Sequence, residues 1–145
     1  MANKQFAALP FRIRDQEISV LLITTRRKRR WSVPKGWPIP PGKPHRTAEI
    51  EAYEEAGLIG KAGPKPIGRY RHRKHQGKRK INCDIELFPL HVKGQKKLWP
   101  EQGQRKMMWL PAREAAEVVR KPHLGRLIAR FTRLKKRKLK ADRKS

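Results

Sequence analysis

Residues 18–25, with the sequence ISVLLITT, constrain the fold more than any other segment. Almost all of these side chains are apolar or β-branched, and such side chains favour strands. A continuous apolar run without alternation indicates a strand that is buried on both faces. This strand is therefore expected in the centre of a sheet that is covered on both sides.

The neighbouring segments predict further strands. Residues 5–13 alternate between apolar and polar positions, which predicts a strand with one buried face, and Pro10 suggests an edge position. Residues 65–73 and 80–90 predict two more strands, with a basic loop between them, and residues 107–110 predict a short one.

Helical patterns lie between and after these strands. Ala48, Ala52 and Ala56 recur every four residues, and Gly57 suits the end of that helix because a left-handed residue is common there. Pro111 opens a second helical segment, which Pro122 interrupts before another apolar stripe. The order of elements predicts an α+β fold in which a mixed β-sheet lies between helices.

The end of the chain differs in composition. Residues 135–145 are dominated by Lys and Arg, which predicts a disordered basic tail. Residues 1–134 are then the folded domain, a length that suits one hydrophobic core.

The charge of the chain restricts its partners. The formal net charge is +26, from 38 Lys and Arg against 12 Asp and Glu. A field of this sign attracts polyanions, so nucleic acid, polyphosphate or a highly phosphorylated metabolite is the expected partner. It also makes any local group of acidic residues unusual.

Other classes are excluded by composition. No apolar stretch approaches the roughly 20 residues that a membrane-spanning helix needs. The first residues lack the apolar core of a signal peptide, so we expect a cytoplasmic protein. Cys83 is the single cysteine, which excludes an internal disulfide framework and a cysteine-rich metal site.

One short segment contains an acidic cluster. Glu51, Glu54 and Glu55 are spaced by three and four residues, so their carboxylates share one face of the predicted helix. Like charges at these spacings repel each other, and a hard cation with oxygen ligands would offset that repulsion. A solvated acidic face that balances the surrounding basic charge is the alternative, and the cluster alone leaves both interpretations open.

The loop before the cluster extends the pattern. From Gly36 the chain runs GWPIPPGKPHRTAEIEAYEEAGL. This segment resembles the Nudix hydrolase box, G-x5-E-x7-R-E-U-x-E-E-x-G-U, where U is a bulky aliphatic residue. The positions that match at the required separations are Gly36, Glu51, Glu54, Glu55, Gly57 and Leu58.

Two positions depart from the box. Gly42 replaces its first Glu and Ile50 replaces its Arg, which in the family usually pair and brace the loop. The departures put that brace in doubt more than they do metal binding. The segments PKGWP, PIGRYRHRK and WPEQGQRKMMWL resemble a branch related to diphosphoinositol polyphosphate and diadenosine polyphosphate phosphohydrolases.

The resemblance implies an α/β/α sandwich and a metal-dependent hydrolase. Its substrate would be a dinucleoside polyphosphate, a nucleoside triphosphate or an inositol pyrophosphate, cleaved at a phosphoanhydride bond. Mg²⁺, or Mn²⁺, would be held by Glu51, Glu54 and Glu55, with the Gly36 carbonyl as an additional ligand. A general base is also required, and Glu54, Glu55 or Glu101 would supply it. An ordinary exposed loop acid is the alternative for Glu101.

Phosphate-binding residues are expected in the basic segments on either side of the box. Arginine suits this role because its planar guanidinium makes bidentate contacts with phosphate. The candidates are Arg27, Arg29, Arg71, Arg73 and Lys74. We expect His72 to be an exposed loop residue.

Two other functions are compatible with the sequence. One is an RNA 5′-end pyrophosphohydrolase, because the basic tail could follow a phosphate backbone. The other is a catalytically degenerate Nudix protein that binds nucleic acid. The substrate, the number of metal ions and the oligomeric state do not follow from the sequence.

Overall fold

The computed structural model describes residues 3–144. Within that range the chain forms eight strands and three helices. The strands are β1 (Asn3–Arg14), β2 (Glu17–Thr24), β3 (Trp31–Ser32), β4 (Lys35–Gly36), β5 (Leu58–Ala62), β6 (Gly68–Gln76), β7 (Arg79–Gln95) and β8 (Met107–Pro111). The helices are α1 (Pro44–Ala56), α2 (Ala112–Val118) and α3 (Pro122–Lys144).

The strands form one mixed sheet. Its central order is β3-β2-β1-β7-β5, while β4 pairs with β1, β6 with β7 and β8 with β2. Strands β1 and β7 are parallel to each other, and the other pairs are antiparallel. The predicted α+β class with a mixed sheet is therefore confirmed.

Helices cover both faces of the sheet. Ala48, Ala52 and Ala56 of α1 pack with Phe6 and Phe88 on one face. The apolar residues of α2 and α3 pack on the other face, against a core that includes Leu9 and Ile85. The strand predicted at residues 18–25 contributes side chains to both cores, as its pattern indicated.

Strand β1 is not an edge strand, so the prediction made from Pro10 is wrong. It lies between β2 and β7, and both Ala8 and Leu9 are fully buried on opposite faces. Pro10 is tolerated because of its position in the ladder. On the flank away from β7, pairing with β4 ends at Ala7 and pairing with β2 begins at Phe11. Proline lacks an amide hydrogen, and Pro10 lies between the β1–β4 and β1–β2 ladders, where no hydrogen bond from it is needed.

The predicted basic loop between two strands is also wrong, because β6 and β7 form a continuous hairpin. Their pairing extends from Gly68 opposite Leu87 to Gln76 opposite Arg79. Gly77 has a φ of 65° at the turn, a left-handed conformation that glycine adopts without strain. Strand β5 carries no clear alternation and was not predicted.

The C-terminal residues form a helix where sequence analysis expected disorder. Helix α3 continues through Lys144, and Leu139 still packs against the core. The Lys135 ammonium lies 5.2 Å from the centre of the Phe11 ring. The division of the chain at residue 134 remains a prediction.

Every helix within residues 3–144 is too short or too polar to span a bilayer.

Candidate active site

An open cleft lies where the β4 loop, α1 and the hairpin β6–β7 meet. Its volume is about 1190 Å³. Its lining includes the carboxylates of Glu51, Glu54, Glu55 and Glu101. Basic side chains from several elements line the same cleft, and together we call them the basic wall. Most of the predicted site residues, which are far apart in the sequence, are brought together here.

Gly36 and Glu51 are in direct contact within this cleft. Gly36 pairs with Phe6 through β4, which fixes the loop against the central strand β1. The Glu51 carboxyl lies against the α-carbon of Gly36, and a β-carbon at that position would overlap it. The glycine of the motif therefore makes room for the first glutamate of the cluster.

Glu55 is the most buried carboxylate of the cleft, with 6% of its surface exposed. Burial raises its pKa to about 9, and a hydrogen bond with Glu51 adds to the rise while Arg105 opposes it. Burial also raises the pKa of Glu51. One Glu55 oxygen accepts a 3.3 Å hydrogen bond from the backbone amide of Lys35. Two neighbouring acids thus share this site, and Glu55 retains a proton when no cation is bound.

Arg105 links two of the carboxylates and was missed by sequence analysis. It lies 3.5 Å from a Glu55 oxygen and 2.6 Å from a Glu101 oxygen, and only 9% of its side chain is exposed. A buried guanidinium with two carboxylate partners holds both in a fixed orientation. A single Arg in a basic chain carries no sequence signal of such a role.

Glu101 is held in the cleft by its loop. Its backbone amide donates a 3.0 Å hydrogen bond to the carbonyl of Glu54, and the amide of Lys96 donates to the carbonyl of Gly57 at 2.9 Å. The Trp99 ring packs on Gly57 so closely that a β-carbon there would overlap it. The loop is therefore fastened to the C-terminal end of α1, the helix that carries the cluster.

The loop that presents the cluster is braced without the usual Glu and Arg. The hydroxyl of the buried Thr47 accepts a 3.2 Å hydrogen bond from the amide of Ile39, and the amide of Gly42 donates to the Ile39 carbonyl at 3.1 Å. Arg46 pairs with Glu49, which also accepts a 2.8 Å hydrogen bond from the amide of Ala62. The hydrogen bond to Thr47, the backbone turn at Gly42 and the Arg46–Glu49 ion pair stand in place of the salt bridge that Gly42 and Ile50 cannot make.

The predicted phosphate-binding residues divide into two groups. Arg27, Arg73 and Lys74 line the cleft, whereas Arg29 and Arg71 do not. Arg71 lies 3.5 Å from Asp84 on the sheet. Further cations complete the basic wall. Arg26, Lys28 and Arg30 come from the same loop as Arg27, whereas Lys35 comes from β4, and Arg120 and Lys121 come from the connection between α2 and α3.

A second part of the cleft extends towards α3. Val33 and Leu124 form apolar walls there, and Gln5, Tyr70 and His72 contribute polar side chains. The Gln5 Oε1, Tyr70 hydroxyl and His72 Nδ1 atoms are buried without a hydrogen-bond partner among the described residues. His72 is on a strand and partly buried, not in an exposed loop. Burial and the nearby lysines lower its pKa to about 4, so it is neutral at pH 7.

The carboxylates of the cleft supply the oxygen donors that a hard divalent cation prefers. Glu51, Glu54 and Glu55 supply oxygen donors from one helical face, and a cation would compensate the cost of ionising the buried pair. Within residues 3–144, no three His, Cys, Asp or Glu side chains are already gathered as a metal-binding group.

Sequence comparisons connect this geometry with known proteins. No protein-family profile matches the chain. It is 28% identical over 126 residues to Nudix hydrolase 13, mitochondrial, of Arabidopsis thaliana, covering 83% of this chain and 62% of that protein. It is 27% identical over 147 residues to Nudix hydrolase 18, mitochondrial, of the same plant, covering 92% and 81%. The chain thus spans less than two thirds of the first of these relatives.

Solved structures show the same fold. An Ap4A hydrolase from C. elegans superposes with a TM-score of 0.66 and 18% identity, covering 92% of this chain and 98% of that one. The chain is similar to the Nudix hydrolases in sequence and shares their fold. The Nudix domain of Shewanella oneidensis NrtR, solved with ADP ribose, also superposes, with a TM-score of 0.65 and 14% identity over 90% of this chain and 86% of that one.

Similarity to the Nudix hydrolases gives the cluster its context. Nudix hydrolases generally use divalent metal ions, and Glu51, Glu54 and Glu55 match the glutamates in the second half of the Nudix box. The Nudix fold is retained here although Gly42 and Ile50 replace two residues of the box. The brace through Thr47 explains how the loop keeps its shape.

Proposed function

We propose that this protein is a Nudix pyrophosphohydrolase, which uses a divalent cation to cleave a phosphoanhydride bond in a polyphosphorylated substrate. The observation that carries the proposal is the cleft itself, which four carboxylates line together with many Arg and Lys side chains. A carboxylate cluster suits the cation, and the basic wall suits the phosphates that the cation would bridge. The names of the relatives and structural neighbours support the same reaction class.

Glu51, Glu54 and Glu55 would hold the cation, for which Mg²⁺ is the first choice and Mn²⁺ the second, together with the Gly36 carbonyl. When bound, such an ion neutralises charge on the phosphates and lowers the pKa of a coordinated water. The chain itself supplies orientation, since Arg105 holds Glu55 and Glu101 relative to each other.

Glu54 and Glu101 are the candidates for the general base. Both line the cleft, and the backbone hydrogen bond between them keeps them adjacent. Glu55 is unsuited to this role without a cation because it is protonated at neutral pH. A base must be ionised to accept the proton of the attacking water.

The basic wall would position the phosphates. Arg27, Arg73 and Lys74 are joined there by Lys35, Arg120 and Lys121, which reach the cleft from other elements. The part of the substrate that is not cleaved would occupy the lobe near Gln5, Tyr70 and His72, where apolar walls surround a few polar groups. Dinucleoside polyphosphates, nucleoside triphosphates and inositol pyrophosphates remain the substrate classes to compare.

The decisive experiment is a substrate panel. Phosphate or pyrophosphate release from each substrate class, and from 5′-triphosphorylated RNA, is measured with Mg²⁺, with Mn²⁺ and with EDTA. Wild type is compared with Glu54→Gln and Glu55→Gln, and with Glu117→Gln on the exposed surface of α2 as the matched control. We expect activity on at least one substrate, dependent on metal, that both site variants lose and the control retains.

Equal activity of all four proteins would refute the proposed site. Absence of cleavage with every substrate would favour a degenerate Nudix protein instead.

Cytoplasmic localisation is also part of the proposal. The Arabidopsis relatives carry mitochondrial in their names, which describes those proteins.

A further inference from the structure

The outward face of α3 carries a row of five cations, which we call the α3 stripe. Successive members lie three or four residues apart, so all five share one side of the helix. Every member is exposed. The stripe consists of Arg126, Arg130, Arg133, Arg137 and Lys140.

The opposite face of the helix fixes the stripe in place. Leu124, Ile128 and Phe131 are buried against the sheet, and Leu139 still packs against the same core near the end of the helix. From Arg126 to Lys140 the stripe extends for about 21 Å, at 1.5 Å per residue. It is thus an array of charge that is anchored on a packed helix, whereas a disordered tail would present a fluctuating one.

Helix α3 supplies few acidic residues that could neutralise the charge of the stripe. Asp142 is the single acid between residue 122 and the end of the sequence. Its charge acts on Lys135, whose ammonium lies over Phe11 on the core side of the helix. The five members of the stripe are all basic.

We propose that the α3 stripe binds the phosphodiester backbone of nucleic acid. An extended row of Arg and Lys complements a regular row of phosphates, and each contact releases condensed counterions. No aromatic side chain belongs to the stripe, so it offers no surface on which bases could stack. Binding should accordingly be independent of sequence and steeply dependent on salt.

An anionic membrane fits this face less well. Amphipathic helices bind membranes by inserting an apolar face, and the apolar face of α3 is occupied by the sheet. The stripe is also independent of the chemistry proposed for the cleft. The inference therefore does not rest on hydrolase activity.

The test compares two variants of equal net charge. In the stripe variant, Arg126, Arg130, Arg133, Arg137 and Lys140 are each replaced by Gln, which is a good helix former. In the control variant, the same replacement is made at five exposed lysines on the far strands and their loop: Lys61, Lys65, Lys93, Lys96 and Lys97. If these fivefold variants unfold, two double variants replace them. The stripe double variant is Arg130→Gln with Arg137→Gln, and its control is Lys61→Gln with Lys97→Gln.

Binding of a labelled 20-nucleotide RNA, and of a 20-base-pair DNA duplex, is followed by fluorescence anisotropy across a series of KCl concentrations. Each lost phosphate contact lowers the slope of log K against log salt by about 0.7 on a single strand. For the stripe variant we expect a slope reduced by about 2 to 3.5 and affinity at least about tenfold weaker, while the control retains most of both. Binding of RNA, of DNA or of both in this manner supports a backbone-binding surface.

Three outcomes would overturn the proposal. Equal losses in both variants would show that bulk charge, and not the stripe, is responsible. Unchanged binding in the stripe variant would place any nucleic-acid contact elsewhere. Stripe-dependent binding to vesicles with 30% phosphatidylserine, without binding to RNA or DNA, would identify a membrane surface instead.

Discussion

The carboxyl group of Glu51 occupies the space that a side chain at Gly36 would need. The two residues belong to different elements, since Gly36 ends the short strand β4 and Glu51 lies in the middle of α1. Their contact sets the distance between the loop and the helix that carries the acidic cluster. The conformational freedom of glycine is secondary here, because Gly36 does not have a positive φ.

Replacement of Gly36 by Ala should therefore displace Glu51. Overpacking in a close contact costs about 1–3 kcal/mol of unfolding free energy. We expect a lower melting temperature together with a loss of metal-dependent activity. Gly94→Ala is the matched control, because a β-carbon there meets no atom within 4 Å. A Gly36→Ala protein with normal activity would show that the Glu51 position is not critical.

The pKa of Glu55 predicts a pH dependence of stability in the absence of metal. The folded value, about 9, is above the ordinary value of 4.5, so the folded state binds the proton more tightly. The contribution of Glu55 to stability is complete below pH 4.5 and is lost as the pH rises towards 9. Glu55→Gln, which imitates the protonated acid, should consequently melt at a higher temperature than wild type at pH 8 in EDTA.

That difference should shrink as the pH falls towards 4.5, and the measurement is a series of thermal melts by circular dichroism. Divalent metal should stabilise wild type more than Glu55→Gln, because the variant has lost an anionic ligand. A wild-type protein that remains the more stable of the two at pH 8 would contradict the assignment of a protonated, buried Glu55.

Arg105 is expected to act as a positioning residue. Arg105→Lys keeps the charge but cannot present the same planar fork to Glu55 and Glu101. We expect kcat to fall by about tenfold or more with a smaller change in KM, and Arg105→Met to be more severe. Arg113→Lys, at an exposed position on α2, is the control for the same substitution. If KM alone changes, Arg105 contacts substrate and does not orient the carboxylates.

Thr47 should stabilise the loop that lacks the Glu–Arg brace. Thr47→Val removes the acceptor for the Ile39 amide while keeping the shape of the side chain, and we expect a cost of about 1 kcal/mol. Activity should fall as well, since the loop leads to Glu51. Thr132→Val removes another buried hydroxyl, which donates to the Ile128 carbonyl far from the cleft. The control should lower the melting temperature and leave kcat/KM unchanged.

The acidic cluster could be predicted from the sequence because its geometry is local. The spacing of Glu51, Glu54 and Glu55 depends on helical periodicity alone. Gly57 ends the helix in the left-handed conformation, with a φ of 70°, as its position in the pattern indicated. The central strand β2 could be predicted in the same way, because a continuous apolar run indicates burial without knowledge of the neighbouring strands.

The basic wall of the cleft depended on the tertiary structure. Arg29 and Arg71 are as basic as Arg27 and Arg73, yet only the latter two line the cleft. Arg71 and Arg73 share one face of β6, so they differ in their position along the strand. Which part of a strand or loop borders a cleft is decided by the packing of elements that are distant in the sequence. The same reason hid Arg120 and Lys121, which reach the cleft because α3 packs across the sheet.

The sequence by itself determined the α+β class, the position of α1 and the spacing of Gly36 from the three glutamates. These properties follow from hydrophobic periodicity and from residues close together in the chain. Only the tertiary structure decided that Glu51 packs on Gly36, that Arg105 joins Glu55 to Glu101, and that the basic C-terminal residues continue a helix. Those contacts join residues from separate elements, so they exist only once the chain has packed around its core.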